Sequence, residues 1–295
     1  MERSALSVAI LRQHLVTLLA AMPAAQSGDE TSVHQARVAS RRLRGALPML
    51  SASADADALA RFDRRVRRIT RALGPVRELD VVLLLLAEFE SRGAASPVAI
   101  GLVREAVNAE RLQRRHDMLE EITPSRLDQL SKRLVDVTAP EARRGSPADT
   151  VAEAAAQSRT RARRLRTAIE RAGGLYLAER LHRVRIEAKK LRYALEIQRE
   201  LTRSRSRAHV NRLKTQQDLL GRMHDLEILI DRTRGVQESL PARNRRGMAE
   251  LDSLIRVLED ECREGHAVYV HARPSLLKLC ESVINTAAQS RTTAA

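Results

Sequence analysis

Two segments of the chain carry the same spaced set of basic side chains. Residues 33–47 read VHQARVASRRLRGAL and residues 181–195 read LHRVRIEAKKLRYAL. Both fit the pattern H-x-x-R-x-x-x-[RK]-[RK]-L-R, in which basic residues recur every three or four positions. Arginine has a planar guanidinium that matches phosphate oxygens in bidentate fashion. The chemistry that this pattern favours is therefore the binding of an anion.

On an α-helix, which turns by about 100° per residue, the basic positions of each segment fall on one narrow stripe. The stripe residues are His34, Arg37, Arg41 and Arg44 in the first segment and His182, Arg185, Lys189 and Arg192 in the second. Arg42 and Lys190 lie to one side of the stripe. Like charges stacked at this spacing repel one another by about a few tenths of a kcal/mol per pair. A sequence that stacks them twice is arranging cations for an anion.

A solvated basic face is the simpler interpretation of one arginine-rich helix, but here the stripe borders the apolar face and recurs. The spacing of Ser32 and Gln35 predicts a capping box, which would place His34 in the first helical turn, where free amides favour an anion. A metal site is not favoured. No second ligand stands at a suitable spacing beside either histidine, and the neighbouring arginines would repel a cation.

The two segments belong to a longer internal repeat. ALGPVRELDVV at 72–82 matches LLGRMHDLEIL at 219–229, in the same order and at nearly the same offset as the first pair. RRVR at 64–67 matches NRLK at 211–214. A tandem duplication predicts two helical halves, residues 1–140 and 150–290, related by a pseudo-twofold axis.

The remaining patterns predict an all-α fold. Apolar residues recur at three- and four-residue spacing through most of the chain, and strand signals are nearly absent. We expect the first two helices to be separated by 23–30, and a corner between two helices at Gly74-Pro75. Residues 138–149 form the best linker, and residues 289–295 a frayed tail.

The amino-acid composition of the chain limits the kinds of molecule that it is expected to bind. The chain has 295 residues and a formal net charge of +15, and 47 of its 52 basic residues are arginine. Such a charge predicts a polyanion partner. Only 2% of the residues are aromatic, so stacking on single-stranded bases is not favoured, while non-specific duplex binding stays open. No uninterrupted apolar run reaches the roughly 18 residues of a membrane span. Cys262 and Cys280 are expected to be buried thiols in a reducing compartment.

The quoted segments resemble the CHAD domain, the "conserved histidine α-helical domain", over essentially the whole chain. The resemblance implies two four-helix bundle halves around a basic central channel that binds inorganic polyphosphate, and an association with polyphosphate granules. It assigns the lining of the channel to His34, Arg37, Arg41, Arg42, Arg44, His182, Arg185, Lys189, Lys190 and Arg192, with Arg67 and Lys214 as lesser candidates.

Some members of that family are fused to a triphosphate tunnel domain with phosphohydrolase activity, but its E-x-E-x-K signature is missing here. We therefore expect a non-enzymatic, cytoplasmic polyphosphate-binding protein with no cofactor, no metal and no membrane partner. Two alternatives stay open. One is a non-specific nucleic-acid-binding protein, and the other is a magnesium-dependent phosphohydrolase that uses Glu78, Asp80, Asp225 and Glu227. These carboxylates are more simply explained as helix caps or as partners that hold basic side chains in place.

Overall fold

The structure is a computed structural model that describes residues 2–47, 55–138, 147–202 and 207–292. Within these ranges the regular structure is entirely helical, which confirms the predicted fold class. The helices are α1 (Glu2–Ser27), α2 (Glu30–Ala46), α3 (Ala56–Ser91), α4 (Pro97–Glu121), α5 (Pro124–Thr138), α6 (Pro147–Ala172), α7 (Ala178–Thr202), α8 (Ala208–Ser239) and α9 (Arg245–Thr292).

The two predicted halves differ in their last element, so the described residues hold five helices before the 139–146 gap and four after it. In the first half, α4 ends where the backbone of Ile122 leaves the helical region, with φ −108° and ψ 79°. Pro124 then begins α5, a position where its missing N–H costs nothing. In the second half one helix of 48 residues, α9, continues through Pro274.

The break between α1 and α2 lies at Gly28-Asp29. Gly28 has a φ of 100°, which residues with a Cβ rarely adopt. Asp29 is the N-cap of α2, and its carboxylate accepts a hydrogen bond of 2.7 Å from the Ser32 amide. The prediction that Ser32 caps this helix is therefore wrong, and so is the placement of His34 in the first turn. Pro23 lies inside α1 and does not separate the helices.

No corner forms at Gly74-Pro75, because α3 runs without interruption through both residues. The glycine serves packing between helices: a Cβ at Gly74 would lie 2.7 Å from Nη1 of Arg37 on α2. Its equivalent in the repeat, Gly221, lies against Arg185 of α7, with a Cβ-to-Nε distance of 3.8 Å. The repeated glycine thus leaves room for the repeated arginine.

Helices of the first half pack against their counterparts in the second half. The contacts join α1 with α6, α2 with α7, α3 with α8, and α4 with α9. A Cβ on Gly45 would lie 3.8 Å from the Cβ of Tyr193, the residue that matches it in the repeat. A pseudo-twofold axis passing between α2 and α7 would bring two equivalent residues together in this way, so the contact is consistent with the predicted duplication.

The apolar core also crosses from one half to the other. Its middle cluster combines Leu86 of α3 and Val103 of α4 with Leu229 of α8 and Leu258 of α9. A second cluster joins α1, α2, α3 and α5 to the C-terminal part of α7, and a third is formed by helices α6 to α9. The two halves therefore share core. Most of the predicted linker, residues 139–146, lies outside the described residues.

Part of α1 is long and apolar enough to cross a membrane by length and composition, with a mean hydropathy of 1.4 over Val8–Ser27. Core helices pass the same test, and here Leu11, Leu18 and Met22 are buried in the cluster that α1 shares with α2, α3 and α5. The apolar side chains of α1 thus fill the core of the fold.

Candidate functional site

The contact between α2 and α7 brings together four of the predicted cations. They form what we call the cation cluster: Arg37, Arg41, Arg185 and Lys189. All four are half-buried. They lie close enough that the charges of Arg37, Arg41 and Arg185 all lower the pKa of the Lys189 amine. The structure therefore joins the basic stripes of the two repeats into one group.

In each half, a carboxylate lies near the arginine that belongs to the cation cluster. Glu78 of α3 lies close enough to attract the Arg37 guanidinium and raise its pKa. In the second half, Oδ1 of Asp225 on α8 lies 4.0 Å from Nη2 of Arg185. Burial raises the pKa of Asp225, and the nearby cations, Arg185 first, act against that rise. Glu78 also pairs with Arg232, whose Nη2 lies 3.5 Å from its Oε1. Each half therefore places one carboxylate near its half-buried arginine.

The positive charge of the cluster exceeds its local negative charge. Among the described residues, Arg37, Arg41 and Lys189 form no ion pair within 4.0 Å. The Nε of Arg41 is buried without a hydrogen-bond partner there. Burial, together with neighbouring cations, lowers the pKa of Lys189 to about 7 and that of Arg37 to about 10. Burying cations without partners costs free energy, which an anion bound between the helices would recover.

Both predicted histidines lie beside the cluster. Partial burial, and then the charges of Arg77 and the α2 arginines, lower the pKa of His34. Nδ1 of His182 lies 3.2 Å from Nδ1 of His224 on α8, and burial followed by His224 lowers the pKa of His182. This second histidine lies 42 residues away on another helix, so the spacing of residues around His182 in the sequence could not indicate it.

Sequence reasoning missed Arg77 and His224 as members of the site. They occupy equivalent positions in the repeat, at 72–82 and 219–229, and each faces the histidine of its own half. Their equivalent positions in the repeat were the sequence signal that could have identified these two residues. The described part of the chain holds no group of three or more His, Cys, Asp or Glu that could bind a metal ion.

Two stripe residues and Arg67 are already engaged in ion pairs. Asp63 accepts from the Nε of Arg44 at 3.3 Å and from the Nε of Arg67 at 2.7 Å. Arg192 donates to Glu196 at 2.7 Å. These arginines flank the cluster with their charge largely balanced.

Three other candidates lie apart from the cluster. Arg42 is exposed and close enough to Glu200 of α7 to influence that carboxyl. Lys190 donates to Glu187 at 2.8 Å and lines a separate cleft between α6 and α7. Lys214 is exposed on α8. On a helix, Arg42 and Lys190 lie to one side of the basic stripe, which explains why these two residues do not belong to the cluster.

The four carboxylates of the phosphohydrolase alternative are each engaged by a basic or hydroxyl group. Asp80 is fully buried and accepts a hydrogen bond of 2.6 Å from Arg111. Glu227 accepts one of 2.7 Å from a tyrosine hydroxyl. Glu78 pairs with Arg232 at 3.5 Å, and Asp225 lies 4.0 Å from Arg185. These partners are consistent with a positioning role for each carboxylate.

Comparisons with known proteins find matches to the sequence and to the fold of the chain. The sequence model of the CHAD domain matches residues 9–234. A crystal structure of the CHAD domain from the plant Ricinus communis shares 26% sequence identity and superposes with a TM-score of 0.63, covering 95% of this chain and 91% of that chain. PptA from Streptomyces chartreusis gives a TM-score of 0.64 at 16% identity, covering 95% of this chain and 99% of that chain, which shows a shared fold. No curated protein sequence matches the chain.

Proposed function

The chain belongs to the CHAD domain family, and from that premise we propose that it binds inorganic polyphosphate between α2 and α7. The observation that carries the proposal is the cation cluster, in which three half-buried basic side chains lack an ion-pair partner among the described residues. Some members of the family bind polyphosphate, and the cluster has the charge that this ligand requires.

Polyphosphate suits the cluster better than a nucleic acid does. It is a flexible chain with roughly one charge per phosphate and no bases to stack or read. The cluster has charge-assisted donors from two facing helices, each contributing about 1.5–3 kcal/mol before ordering costs. Tyr193, the one aromatic residue of α7, is engaged by Arg192, whose guanidinium lies 4.8 Å from the ring centre. Charge without a stacking surface favours the simpler polyanion.

The proposal includes the role of the protein in the cell. We propose that it acts as a binding protein rather than an enzyme, in the cytoplasm and at polyphosphate granules. Family membership supports the association with granules. The positioning roles of the four carboxylates named above support a role without catalysis.

Competition binding tests the proposal. Labelled long-chain polyphosphate is displaced by unlabelled polyphosphate, duplex DNA or RNA at matched charge and physiological salt. We expect the wild type to prefer polyphosphate and the Arg41→Ala/Lys189→Ala variant to lose that preference. The matched control is Arg243→Ala/Arg246→Ala, which removes the same charge from two exposed positions.

Equal displacement by all three polyanions, unchanged in the cluster variant, would contradict the proposal and leave net charge as the explanation. Phosphate release in the same samples with Mg²⁺ would instead support the phosphohydrolase alternative.

A further inference from the structure

A second basic surface, which we call the α3 trough, runs along the outer face of α3. Six arginines of that helix line it: Arg61, Arg64, Arg65, Arg67, Arg68 and Arg71. The cleft has a volume of about 940 Å³, and α4 closes its other side with Arg114, Asp117 and Glu121. Basic residues outnumber acidic ones along its walls.

The α3 trough joins neighbouring cavities at both ends. Pro75 and Arg114 also line a smaller cavity that contains Arg37 of the cation cluster. Arg65 and Arg68 also line a third cavity, which extends to α5. The three clefts therefore adjoin one another, from the cluster along α3 to α5.

Three of the trough arginines, Arg64, Arg65 and Arg71, form no ion pair in the described ranges, and Arg65 donates instead to Oε1 of Gln129 at 2.7 Å. Arg64 and Arg71 are both exposed, and they lie two helical turns apart on the same side of α3. By contrast, Arg67 pairs with Asp63 at 2.7 Å and Arg68 with Glu121 at 3.2 Å. The trough thus presents free positive charge to solvent along its length.

The second half of the chain has no such surface on its equivalent helix. At the positions of α8 that match the six arginines, the repeat has Ala208, Asn211, Arg212, Lys214, Thr215 and Asp218. A general preference for arginine would have affected both helices alike. The α3 trough therefore has no full counterpart on α8, and the basic cleft of the second half lies elsewhere, between α6 and α7, where Arg163, Arg164, Arg183 and Lys190 are among its lining residues.

We infer that the α3 trough binds the part of a polyphosphate chain that extends out of the cation cluster, an inference that rests on the proposed function. The free charge, the continuity with the Arg37 cavity and the absence of aromatic residues from the trough lining all fit a linear polyanion without bases. A short chain occupies the cluster alone, and a long chain is held at both places.

Two probes of different length separate the trough from the cluster. Tripolyphosphate and long-chain polyphosphate are each titrated into the full chain and into the Arg64→Ala/Arg71→Ala variant. We expect this trough variant to lose about tenfold in affinity for the long chain and to bind tripolyphosphate as the wild type does. The dependence of long-chain affinity on salt should also become shallower, by about two released counterions.

With the following controls, each outcome either supports or contradicts the inference about the α3 trough. Arg243→Ala/Arg246→Ala removes the same charge from positions that line neither the trough nor the two cavities that adjoin it. A long-chain loss of the same size in that control, or an equal loss of both probes in the trough variant, would overturn the inference. So would a trough variant that loses duplex DNA binding while keeping the long chain. If instead Arg41→Ala/Lys189→Ala leaves tripolyphosphate binding unchanged, the proposed function of the cluster fails, and the trough variant still reports on the trough.

Discussion

At the scale of single residues, Lys189 differs from the other members of the cation cluster because its charge depends on the ligand. Its equivalent in the repeat is Arg41. Burial and three neighbouring arginines lower the pKa of Lys189 to about 7, so near neutral pH the free protein holds much of it as the neutral amine. A bound phosphate favours the ammonium form. Binding therefore draws a proton onto Lys189.

This proton uptake predicts a pH dependence with a definite sign. Between pH 7 and pH 9 we expect polyphosphate affinity to fall as pH rises, by up to about tenfold per pH unit, because each binding event must protonate Lys189. His34 and His182 have lowered pKa values and are already neutral in this range. Lys189→Arg should abolish the dependence, since its guanidinium needs no added proton.

Isothermal titration calorimetry in two buffers of different ionisation enthalpy measures the uptake directly. Lys190→Arg is the matched control, because this neighbouring lysine pairs with Glu187 away from the cluster. A slope that survives in Lys189→Arg and disappears in Lys190→Arg would show that the titrating group had been assigned to the wrong lysine.

At the scale of helices, the contact of α3 with α2 depends on a glycine inside a continuous helix. The Cβ of Gly74→Ala would meet Nη1 of Arg37 at 2.7 Å, and the flexible guanidinium would have to move. The same change at Gly221 produces an ordinary contact of 3.8 Å with Arg185. The equivalent substitutions Gly74→Ala and Gly221→Ala therefore form a matched pair for an experiment.

We expect Gly74→Ala to weaken polyphosphate binding about fivefold by displacing Arg37, and Gly221→Ala to leave binding unchanged. Neither should destabilise the fold, because alanine in a helix is favoured over glycine by roughly 1 kcal/mol. Urea unfolding and binding titrations on both variants check the two effects separately. A Gly74→Ala protein that binds normally would show that the position of Arg37 is not critical.

The same helices show what the sequence could and could not predict. Helical spacing and the repeat predict all four members of the cation cluster. Arg37 and Arg41 lie on one helix, and Arg185 and Lys189 lie on its equivalent. His224 does not, because its distance from His182 depends on how α8 packs against α7.

Helix ends were also poorly specified by sequence. Ser32 and Asp29 both suit an N-cap, and the choice between them depends on where α1 ends at Gly28. Gly74-Pro75 has the residues of a corner but the packing of a helix interior. Local residue preferences decide such positions only where tertiary contacts do not.

At the scale of the whole molecule, the shared core makes the two halves one cooperative unit. The middle cluster contains Cys262 and the third cluster contains Cys280, and both thiols are buried. Burial raises the pKa of Cys280 to about 12, which slows its reaction further. The two cysteines therefore report on separate parts of the core.

We expect both thiols to become reactive at the same urea concentration. Labelling of Cys262→Ala and Cys280→Ala, each with one remaining thiol, measures the two midpoints. Leu229→Ala, in the middle cluster, should lower both midpoints together and cost about 2–4 kcal/mol in the free energy of unfolding. Well-separated midpoints in the two single-thiol variants would show that the middle cluster and the third cluster unfold independently.

The unequal distribution of arginine between α3 and α8 makes the surfaces on the two sides of the cation cluster different. A phosphate chain is the same read from either end, so a site made by two matching helices would accept it in both orientations equally. The arginines of α3 have only two basic counterparts on α8, Arg212 and Lys214. In the second half the basic cleft lies between α6 and α7 instead. The two parts of a long chain that extend from the cluster would therefore lie against different surfaces.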